Sequence, residues 1–326
     1  MLSRPGEDEL IARFFAPLAG PAGLGLKDDA ALLVPPPGSD LVLTTDALVA
    51  GVHFFADDPP DLIARKALRV NLSDLAAKGA RPLGFLLALA LNEDWRTEWL
   101  ASFAAGLAVD AEAFGCPLAG GDTVSTPGPL TLSITAYGAV PSGRMVARSG
   151  AKTGDRLYVT GSIGDAAIGL RIRRGEGARL SPTDRQFLLD RYLLPEPRLA
   201  LASAMSAHAN GGMDVSDGLV GDLTKMLAMS GVTARIPVCR LPLSPPARAA
   251  IAADPDLFAV AATGGDDYEL LASVSPPSAP AFEADAVAAG VRVTFVGNAV
   301  EGGGPLRFVG PDGGPVTFAR GSYSHF

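Results

Sequence analysis

The chain has 326 residues, of which 48% are hydrophobic and 19% are charged, and its formal net charge is −8 at pH 7. This length is typical of about two domains, and the apolar fraction is sufficient for hydrophobic cores. The acidic balance argues against a nucleic acid as partner, because proteins that bind polyphosphate backbones usually carry a basic surface. The two cysteines, Cys116 and Cys239, form no CxxC or Cys/His cluster, which argues against a disulfide framework and against a zinc site.

Two further features concern location. Three acidic residues, Glu7 to Glu9, precede the first apolar pair, a pattern unlike that of a secretory signal peptide. No apolar run reaches the roughly 18 residues that a membrane-spanning helix needs. The sequence therefore predicts a cytoplasmic protein that does not enter a membrane.

Helical and strand patterns alternate in the first part of the chain. The pattern predicts an amphipathic helix over residues 7–18, a strand over 41–46, a helix from 58 to 78, a strand over 83–91, a helix over 95–114 and a strand over 130–136. A glycine-rich loop leads to Lys27-Asp28-Asp29, and the first strand is expected to end in Thr44, Thr45 and Asp46.

The helix over 58–78 carries two stripes at helical spacing. The apolar stripe, which we expect to be buried, consists of Leu68, Leu72, Leu75 and Ala76. The polar stripe consists of Asn71, Asp74 and Lys78. One interpretation of the polar stripe is a solvated face with an Asp74–Lys78 pair, worth a few tenths of a kcal/mol. The other is a functional face.

A Pro- and Gly-containing segment over residues 141–154, with three basic side chains, indicates a domain boundary. We therefore predict an N-terminal domain over 1–143 and a C-terminal domain over 144–326. In the second domain the pattern predicts a strand over 156–160, an alanine-rich helix after Asp165, helices over 182–194 and 198–209, a helix opened by residues 213–219, a strand that includes 269–271 and a strand over 291–297. The alternation of helices and strands in both halves predicts the α/β class.

Common phosphate and nucleophile motifs are missing. Gly161-Ser162-Ile163-Gly164 lacks the spacing of the dinucleotide fingerprint, and there is no GxxxxGK[ST]. The segment from Asp214 to Gly218 lacks the alternating acidic positions and the closing Glu of a calcium loop. No Ser-His-Asp or Cys-His set stands out, and three histidines leave little for transition metals.

What remains is a set of aspartates at element ends or beside glycines: Asp29, Asp46, Asp74, Asp122, Asp214 and Asp217. Carboxylate oxygens are ligands that Mg²⁺ prefers, and Mg²⁺ usually bridges to substrate phosphates. Each aspartate alone also has a structural interpretation, such as a turn at Asp29, a helix cap at Asp217 or a glycine turn at Asp122. Together they favour a site for a metal and a nucleotide.

Seven segments, in order, resemble one family. They are Asp28-Asp29-Ala30-Ala31, Thr44-Thr45-Asp46 with His53, Asn71-Leu72-Ser73-Asp74-Leu75-Ala76-Ala77, Gly120-Gly121-Asp122-Thr123, Arg148-Ser149-Gly150-Ala151, Asp214-Val215-Ser216-Asp217-Gly218-Leu219 and Gly264-Gly265-Asp266-Asp267-Tyr268-Glu269-Leu270. Over nearly its whole length the chain resembles the thiamine-monophosphate kinases, within the superfamily of aminoimidazole ribonucleotide synthetase and selenophosphate synthetase.

The resemblance implies a transferase of thiamine diphosphate biosynthesis, which moves the γ-phosphoryl group of ATP to thiamine phosphate in line with the help of several Mg²⁺ ions. It also implies the two-domain aminoimidazole ribonucleotide synthetase-like fold and a homodimer in which the N-terminal domains share a β-barrel. The N-terminal domain would then carry the metal and ATP site and the dimer contact, and the C-terminal domain would complete the ATP and substrate sites.

The same resemblance assigns residues. The metal ligands would be Asp29, Thr44, Thr45, Asp46, Asp74, Asp122, Asp214 and Asp217, of which Asp29, Asp46, Asp74 and Asp122 would be catalytic. ATP would be held by Gly121, Asp122, Arg148 and Ser216, and thiamine phosphate would face His53, Asp266 and Tyr323. Structural readings of single residues remain open: His53 as a packed loop residue, Arg148 as a solvated linker charge and Tyr323 as a surface aromatic.

Three positions depart from the family's pattern. Lys27 stands where the family usually has Gly, Lys78 where it commonly has Met, and Asp266 where it usually has Glu. The shorter Asp266 side chain reaches one methylene less far toward the substrate.

Two alternatives are kept. One is a sister enzyme of the same superfamily, such as aminoimidazole ribonucleotide synthetase. The sequence contexts of His53 and Tyr268 favour the kinase over this enzyme. Selenophosphate synthetase is disfavoured because no Cys lies near the N-terminal loop. The other is a non-catalytic nucleotide-binding or maturation protein on the same scaffold, which loss of several metal-binding aspartates would signal.

Overall fold

The computed structural model describes residues 4–176, 179–319 and 321–322. The helices of this part of the chain are α1 (Glu7–Leu10), α2 (Pro60–Ala77), α3 (Thr97–Ala113), α4 (Asp165–Arg173), α5 (Pro182–Leu193), α6 (Ala202–His208), α7 (Leu219–Met229), α8 (Pro245–Ala253), α9 (Leu257–Thr263) and α10 (Ala279–Ala288). The strands are β1 (Ser39–Val49), β2 (Arg81–Leu91), β3 (Leu118–Ser125), β4 (Thr131–Pro141), β5 (Arg156–Thr160), β6 (Ala209–Val215), β7 (Val232–Pro237), β8 (Glu269–Val274), β9 (Val293–Glu301), β10 (Arg307–Val309) and β11 (Pro315–Val316). None of these described helices is both long enough and apolar enough to cross a membrane.

The chain divides into two compact units. The first consists of residues 1–75 and 81–143, and the second of residues 76–80 and 144–326. The sequence places a boundary at residue 143 but does not anticipate that the last turn of α2 and the residues after it belong with the second unit.

The first unit contains a four-stranded sheet with the order β1-β4-β2-β3. β2 and β3 run parallel, while β4 runs antiparallel to both β1 and β2. One face of this sheet is apolar and buried, and it includes Val42, Leu48, Leu87, Leu132 and Ile134. The apolar stripe predicted on α2 is confirmed, because all four of its side chains are fully buried.

The second unit contains a seven-stranded mixed sheet with the order β11-β10-β7-β9-β5-β8-β6. Its main core is formed by side chains of β5, β6, β7 and α7, including Leu157, Val159, Val215, Leu223 and Ile236. Mixed α/β units on both sides of residue 143 confirm the predicted class.

Several predicted bounds are wrong. The helix over 7–18 is instead α1 followed by a π-helical turn (Ile11–Phe15) and a 3₁₀ turn (Ala16–Leu18), where Pro17 has no N–H with which to continue an α-helix. The first strand does not end at Asp46, because β1 pairs with β4 through Val49. Residues 213–215 are the end of β6, and the helix begins only at Leu219.

Candidate functional site

The pleat of the sheet divides the predicted metal ligands of the first unit. Side chains of neighbouring strand residues point to opposite faces, so Thr44 and Asp46 share the buried face while Thr45 points to the other. The registers of the strand pairs β1–β4, β4–β2 and β2–β3 place Asp122 on the same face of the sheet as Thr45. This face, opposite to the buried one, is called the open face. A single ion can therefore reach all three residues of Thr44-Thr45-Asp46 only if Thr45 contributes its carbonyl oxygen.

On the buried face, β1 is tied to α2 by hydrogen bonds. The Thr44 hydroxyl donates to Asp74 Oδ2 at 2.5 Å. The backbone N–H of Asp46 donates to Asn71 Oδ1 at 3.1 Å, and the Asn71 amide donates to Ala67 O. Asn71 is fully buried. The polar stripe on α2 is therefore not a solvated face, and the partner of Asp74 is Thr44.

The open face borders a cavity of about 710 Å³. Asp28 and Asp29 enter it from the loop after a second 3₁₀ segment (Pro21–Leu26), and Asp122 enters it from β3. All three carboxylates are exposed, and within the described residues none of them forms a hydrogen bond or ion pair with a side chain. These are acceptors available to a ligand.

The glycine beside Asp122 has a packing role. A Cβ at Gly121 would lie 1.8 Å from Leu87 O, because β3 runs directly alongside β2 there. Asp122 is thus a strand residue, and the alternative interpretation of Asp122 as part of a glycine turn does not hold. On the same face, separated from β3 by two strands, Thr45 accepts a hydrogen bond from Thr135, whose side chain lines the cavity.

His53 lies in the turn after β1 and is half-buried. Its Nδ1 accepts a hydrogen bond from the backbone N–H of Val49 at 3.0 Å, and its carbonyl accepts one from the buried Lys66 ammonium at 3.3 Å. Because Nδ1 is an acceptor, the proton of the neutral ring lies on Nε2.

In the second unit, Arg148 projects from a backbone held at several points. Ser230 Oγ accepts from the N–H of Ala151 at 3.2 Å, and a Cβ at Gly150 would lie 1.8 Å from Asn210 O. The Arg148 side chain itself is exposed. A fixed backbone with an exposed guanidinium is an arrangement that suits phosphate recognition.

The end of β6 and the turn before α7 carry three predicted residues. Asp214 is buried at the end of β6, and Ser216 is half-exposed just after it. Asp217 is paired with Lys225 at 2.6 Å, and its N–H donates to Asp222 Oδ2 at 2.9 Å. Burial raises the pKa of the Asp222 carboxyl, against the Asp217 N–H and Lys225, which lower it. A metal ion bound by Asp217 would have to share the Asp217 carboxylate with the Lys225 ammonium.

Asp266 lies in the loop before β8, where its N–H donates to Ser216 O at 2.9 Å. Tyr323, the third residue predicted to face the substrate, lies outside the described residues.

The predicted metal ligands do not form a preassembled cluster. Among the described residues, no group of three or more His, Cys, Asp and Glu side chains could hold a metal ion. The donor set nevertheless suits Mg²⁺, which takes oxygen ligands, commonly from one or two carboxylates with the rest from phosphates and water. The exposed Asp29 and Asp122 carboxylates in one cavity meet that need.

Some residues of these surroundings are not found by sequence reasoning. Asp28 lines the cavity although only Asp29 is predicted as a ligand, and its signal is adjacency alone. Lys225 pairs with Asp217 from eight residues away along α7. The buried Glu269 accepts from Arg191 and Arg198, at 2.9 and 2.6 Å, and only the fold brings these side chains together.

Comparison with known proteins decides the family. Residues 27–140 match the family of AIR synthase related proteins, N-terminal domain, and residues 152–309 match its C-terminal domain. The chain is 45% identical to the thiamine-monophosphate kinase of Caulobacter vibrioides, over 98% of this chain and 91% of that protein. It belongs to the thiamine-monophosphate kinase family.

Solved structures of thiamine-monophosphate kinases agree with this assignment. The enzyme from Stenotrophomonas maltophilia superposes with a TM-score of 0.83 at 36% identity, covering 95% of this chain and 96% of that one. AaThiL complexed with AMPPCP and TMP superposes with a TM-score of 0.78 at 31% identity, covering 90% of this chain and 89% of that one. The resemblance drawn from the seven segments is confirmed, as is the two-domain fold.

Proposed function

We propose that this protein transfers the γ-phosphoryl group of ATP to thiamine phosphate, giving thiamine diphosphate and ADP. The observation that carries the proposal is membership of the thiamine-monophosphate kinases at 45% identity over 98% of the chain. The ATP analogue and TMP held by the relative AaThiL support both co-substrates.

The acceptor explains why the site needs no strong base. The nucleophile is a phosphate oxygen of thiamine phosphate, which is largely ionised at neutral pH because the second pKa of a phosphate monoester is about 6. One P–O bond forms to the γ-phosphorus as the bond to ADP breaks, so no proton has to be removed first. The task of the protein is to align two polyanions and to offset their repulsion.

The aspartates meet this task together with Mg²⁺. Mg²⁺ supplies neutralisation of phosphate charge and orientation of the phosphate oxygens. The residues that would hold it are Asp29, Thr44, Thr45, Asp46, Asp74 and Asp122 in the first unit and Asp214 and Asp217 in the second. Asp29 and Asp122 are supported by their shared cavity, and Asp74 by its hydrogen bond with Thr44.

The remaining assignments concern the two substrates. In the first unit, Gly121 offers its backbone to ATP next to Asp122. In the second unit, Ser216 offers a hydroxyl group and Arg148 offers a guanidinium fork from its anchored backbone. His53 offers its Nε2–H to thiamine phosphate, and Asp266 offers a carboxylate. Tyr323 keeps its role as a proposal from the family pattern.

The first unit also forms the homodimer, through a barrel made with its counterpart. The open face of its sheet exposes Leu41, Leu43, Leu86 and Val124. Two of these lie on β1, which is an edge strand. An exposed apolar sheet face is a surface that a second copy would cover.

Product analysis tests the function. Purified protein is incubated with ATP, Mg²⁺ and thiamine phosphate, and nucleotides and thiamine esters are separated by chromatography. We expect thiamine diphosphate and ADP to appear in equal amounts, and neither to appear when thiamine phosphate is omitted. ADP that accumulates without thiamine diphosphate would refute the proposal.

A further inference from the structure

The loop between α9 and β8, residues 264–268, has a strained backbone. Asp266 and Tyr268 adopt φ angles of +73° and +51°. Residues with a side chain rarely occupy this left-handed region, and they remain there only where their surroundings leave no alternative. The loop that carries the proposed substrate residue Asp266 is therefore held from outside.

One of the groups that hold it is the side chain of Asp267, which is only 2% exposed. Its Oδ2 accepts from the N–H of Gly164 at 2.6 Å, and its Oδ1 accepts from the N–H of Ala166 at 3.3 Å. These N–H groups lie at the start of α4, where the helix dipole favours a negative charge. The carboxylate of Asp267 thus fastens the loop to α4.

The surroundings of Asp267 make its two hydrogen bonds to the start of α4 hard to replace. Burial raises the pKa of its carboxyl well above the usual value, and the negative charge of the neighbouring Asp165 raises it further. The two N–H groups and Arg191 act in the opposite direction. A buried carboxyl with two backbone donors is costly to leave unpaired, so it keeps the loop in one place.

The opposite side of the loop is fastened to the end of β6. The N–H of Asp266 donates to Ser216 O, and the N–H of Tyr268 donates to Val215 O, both at 2.9 Å. A Cβ at Gly265 would lie 2.3 Å from Ser216 O, so the loop can approach this closely only with glycine there. Asp266 is thereby held between α4 and the segment proposed to bind ATP.

We propose that Asp267 is a positioning residue for thiamine phosphate: by fastening the loop to α4 it fixes the direction of the Asp266 carboxylate, without touching the substrate. This role rests on the proposed function. It predicts a selective loss of thiamine phosphate binding when Asp267 is changed, because Arg148, proposed to bind ATP, is positioned by contacts outside the loop.

The test compares three variants in steady-state kinetics with each substrate varied. Asp267→Ala should raise KM for thiamine phosphate by about tenfold or more while KM for ATP changes by less than about threefold. Asp267→Asn keeps an acceptor oxygen for one N–H and should show a smaller rise in the same direction. Asp165→Ala is the matched control, because Asp165, the first residue of α4, is equally buried but bonds to Ser162 and Ser244 and not to the loop.

The outcomes separate the two proposals. Wild-type protein that forms no thiamine diphosphate refutes both. The positioning role alone is refuted if the wild type is active and Asp267→Ala leaves the ratio of KM for thiamine phosphate to KM for ATP unchanged. It is also refuted if Asp267→Ala shifts this ratio no more than Asp165→Ala does. If Asp267→Ala does not fold, an unchanged KM ratio in Asp267→Asn is the refuting result.

Discussion

At the scale of single residues, a substitution at Asp74 distinguishes a metal-binding role of the polar stripe on α2 from a purely structural one. Its carboxylate accepts from Thr44, and an amide oxygen can accept the same hydrogen bond. Asp74→Asn should therefore leave the melting temperature of the metal-free protein close to that of wild type. If Asp74 binds Mg²⁺, the loss of charge should lower kcat by about a hundredfold or more. Wild-type kcat in this variant would make Asp74 a structural residue.

The buried Asp165 should make stability depend on pH. Burial raises the pKa of its carboxyl most, with Glu269 adding to the rise, and Ser162, Ser244 and Arg191 oppose it. Between the unfolded pKa, about 3.9, and the raised folded pKa, the folded state binds more protons, so this contribution to stability falls as pH rises.

The amide of Asp165→Asn cannot ionise, so this variant does not lose that contribution to stability as pH rises. The free energy of unfolding of the variant relative to wild type should therefore increase from about pH 4 to about pH 8. Urea unfolding of both proteins across this range measures the difference. A relative stability that is flat or falls with pH would contradict the raised pKa.

The sequence shows which residue types are present but not which of them are buried. Motif resemblance singles out Asp266, whereas its neighbour Asp267 is buried and fastens the loop. That difference depends on α4, about a hundred positions earlier in the chain. Burial of this kind arises from tertiary packing, which local spacing does not encode.

At the scale of elements, strong local signals gave accurate predictions. α2 and β5 lie where the sequence places them, since α2 is bounded by Pro59–Pro60 and Gly79 and β5 is a short apolar run. β6 is missed because Gly211 and Gly212 within it resemble a turn. β3 is missed for the same reason at Gly120 and Gly121, whose place beside β2 depends on pairing distant in sequence.

The cavity lined by Asp28, Asp29 and strand β3 can be tested as a metal site. Mg²⁺ with a non-hydrolysable ATP analogue should raise the melting temperature of the wild type, since a ligand that binds only the folded state stabilises it. Asp122→Asn should reduce this rise strongly, because the cavity loses the carboxylate that β3 contributes to it. Glu98→Gln, an exposed change on α3, is the control. An equal rise in wild type and Asp122→Asn would exclude the cavity as the site.

At the scale of the whole molecule, the open sheet face predicts self-association. Leu43 is 65% exposed on edge strand β1, and Leu43→Glu should convert a dimer to a monomer by placing a charge in the apolar contact. Val287→Glu is the matched control, since Val287 is 79% exposed on α10 of the second unit. Light scattering at micromolar concentration reports the mass. A wild-type monomer, or a Leu43→Glu dimer, would contradict the prediction.

The composition near residue 143, where Pro, Gly and basic residues cluster, predicts a domain boundary. It does not predict that residues 76–80 belong to the second unit. Ala76 and Ala77 pack in a core cluster with Leu201, Met205 and Leu270, and Lys78 donates to Gly212 O at 2.9 Å. A helix that continues without interruption gives no local signal that its last turn packs with another unit.

The most direct measurement of the central claim follows the phosphorus atom itself. The protein is supplied with Mg²⁺, thiamine phosphate and ATP labelled in its γ-phosphate, and the products are separated and counted. Direct transfer predicts that the label appears in the terminal phosphate of thiamine diphosphate, in an amount equal to the ADP formed. Label recovered as inorganic phosphate, with thiamine phosphate unchanged, would contradict the account.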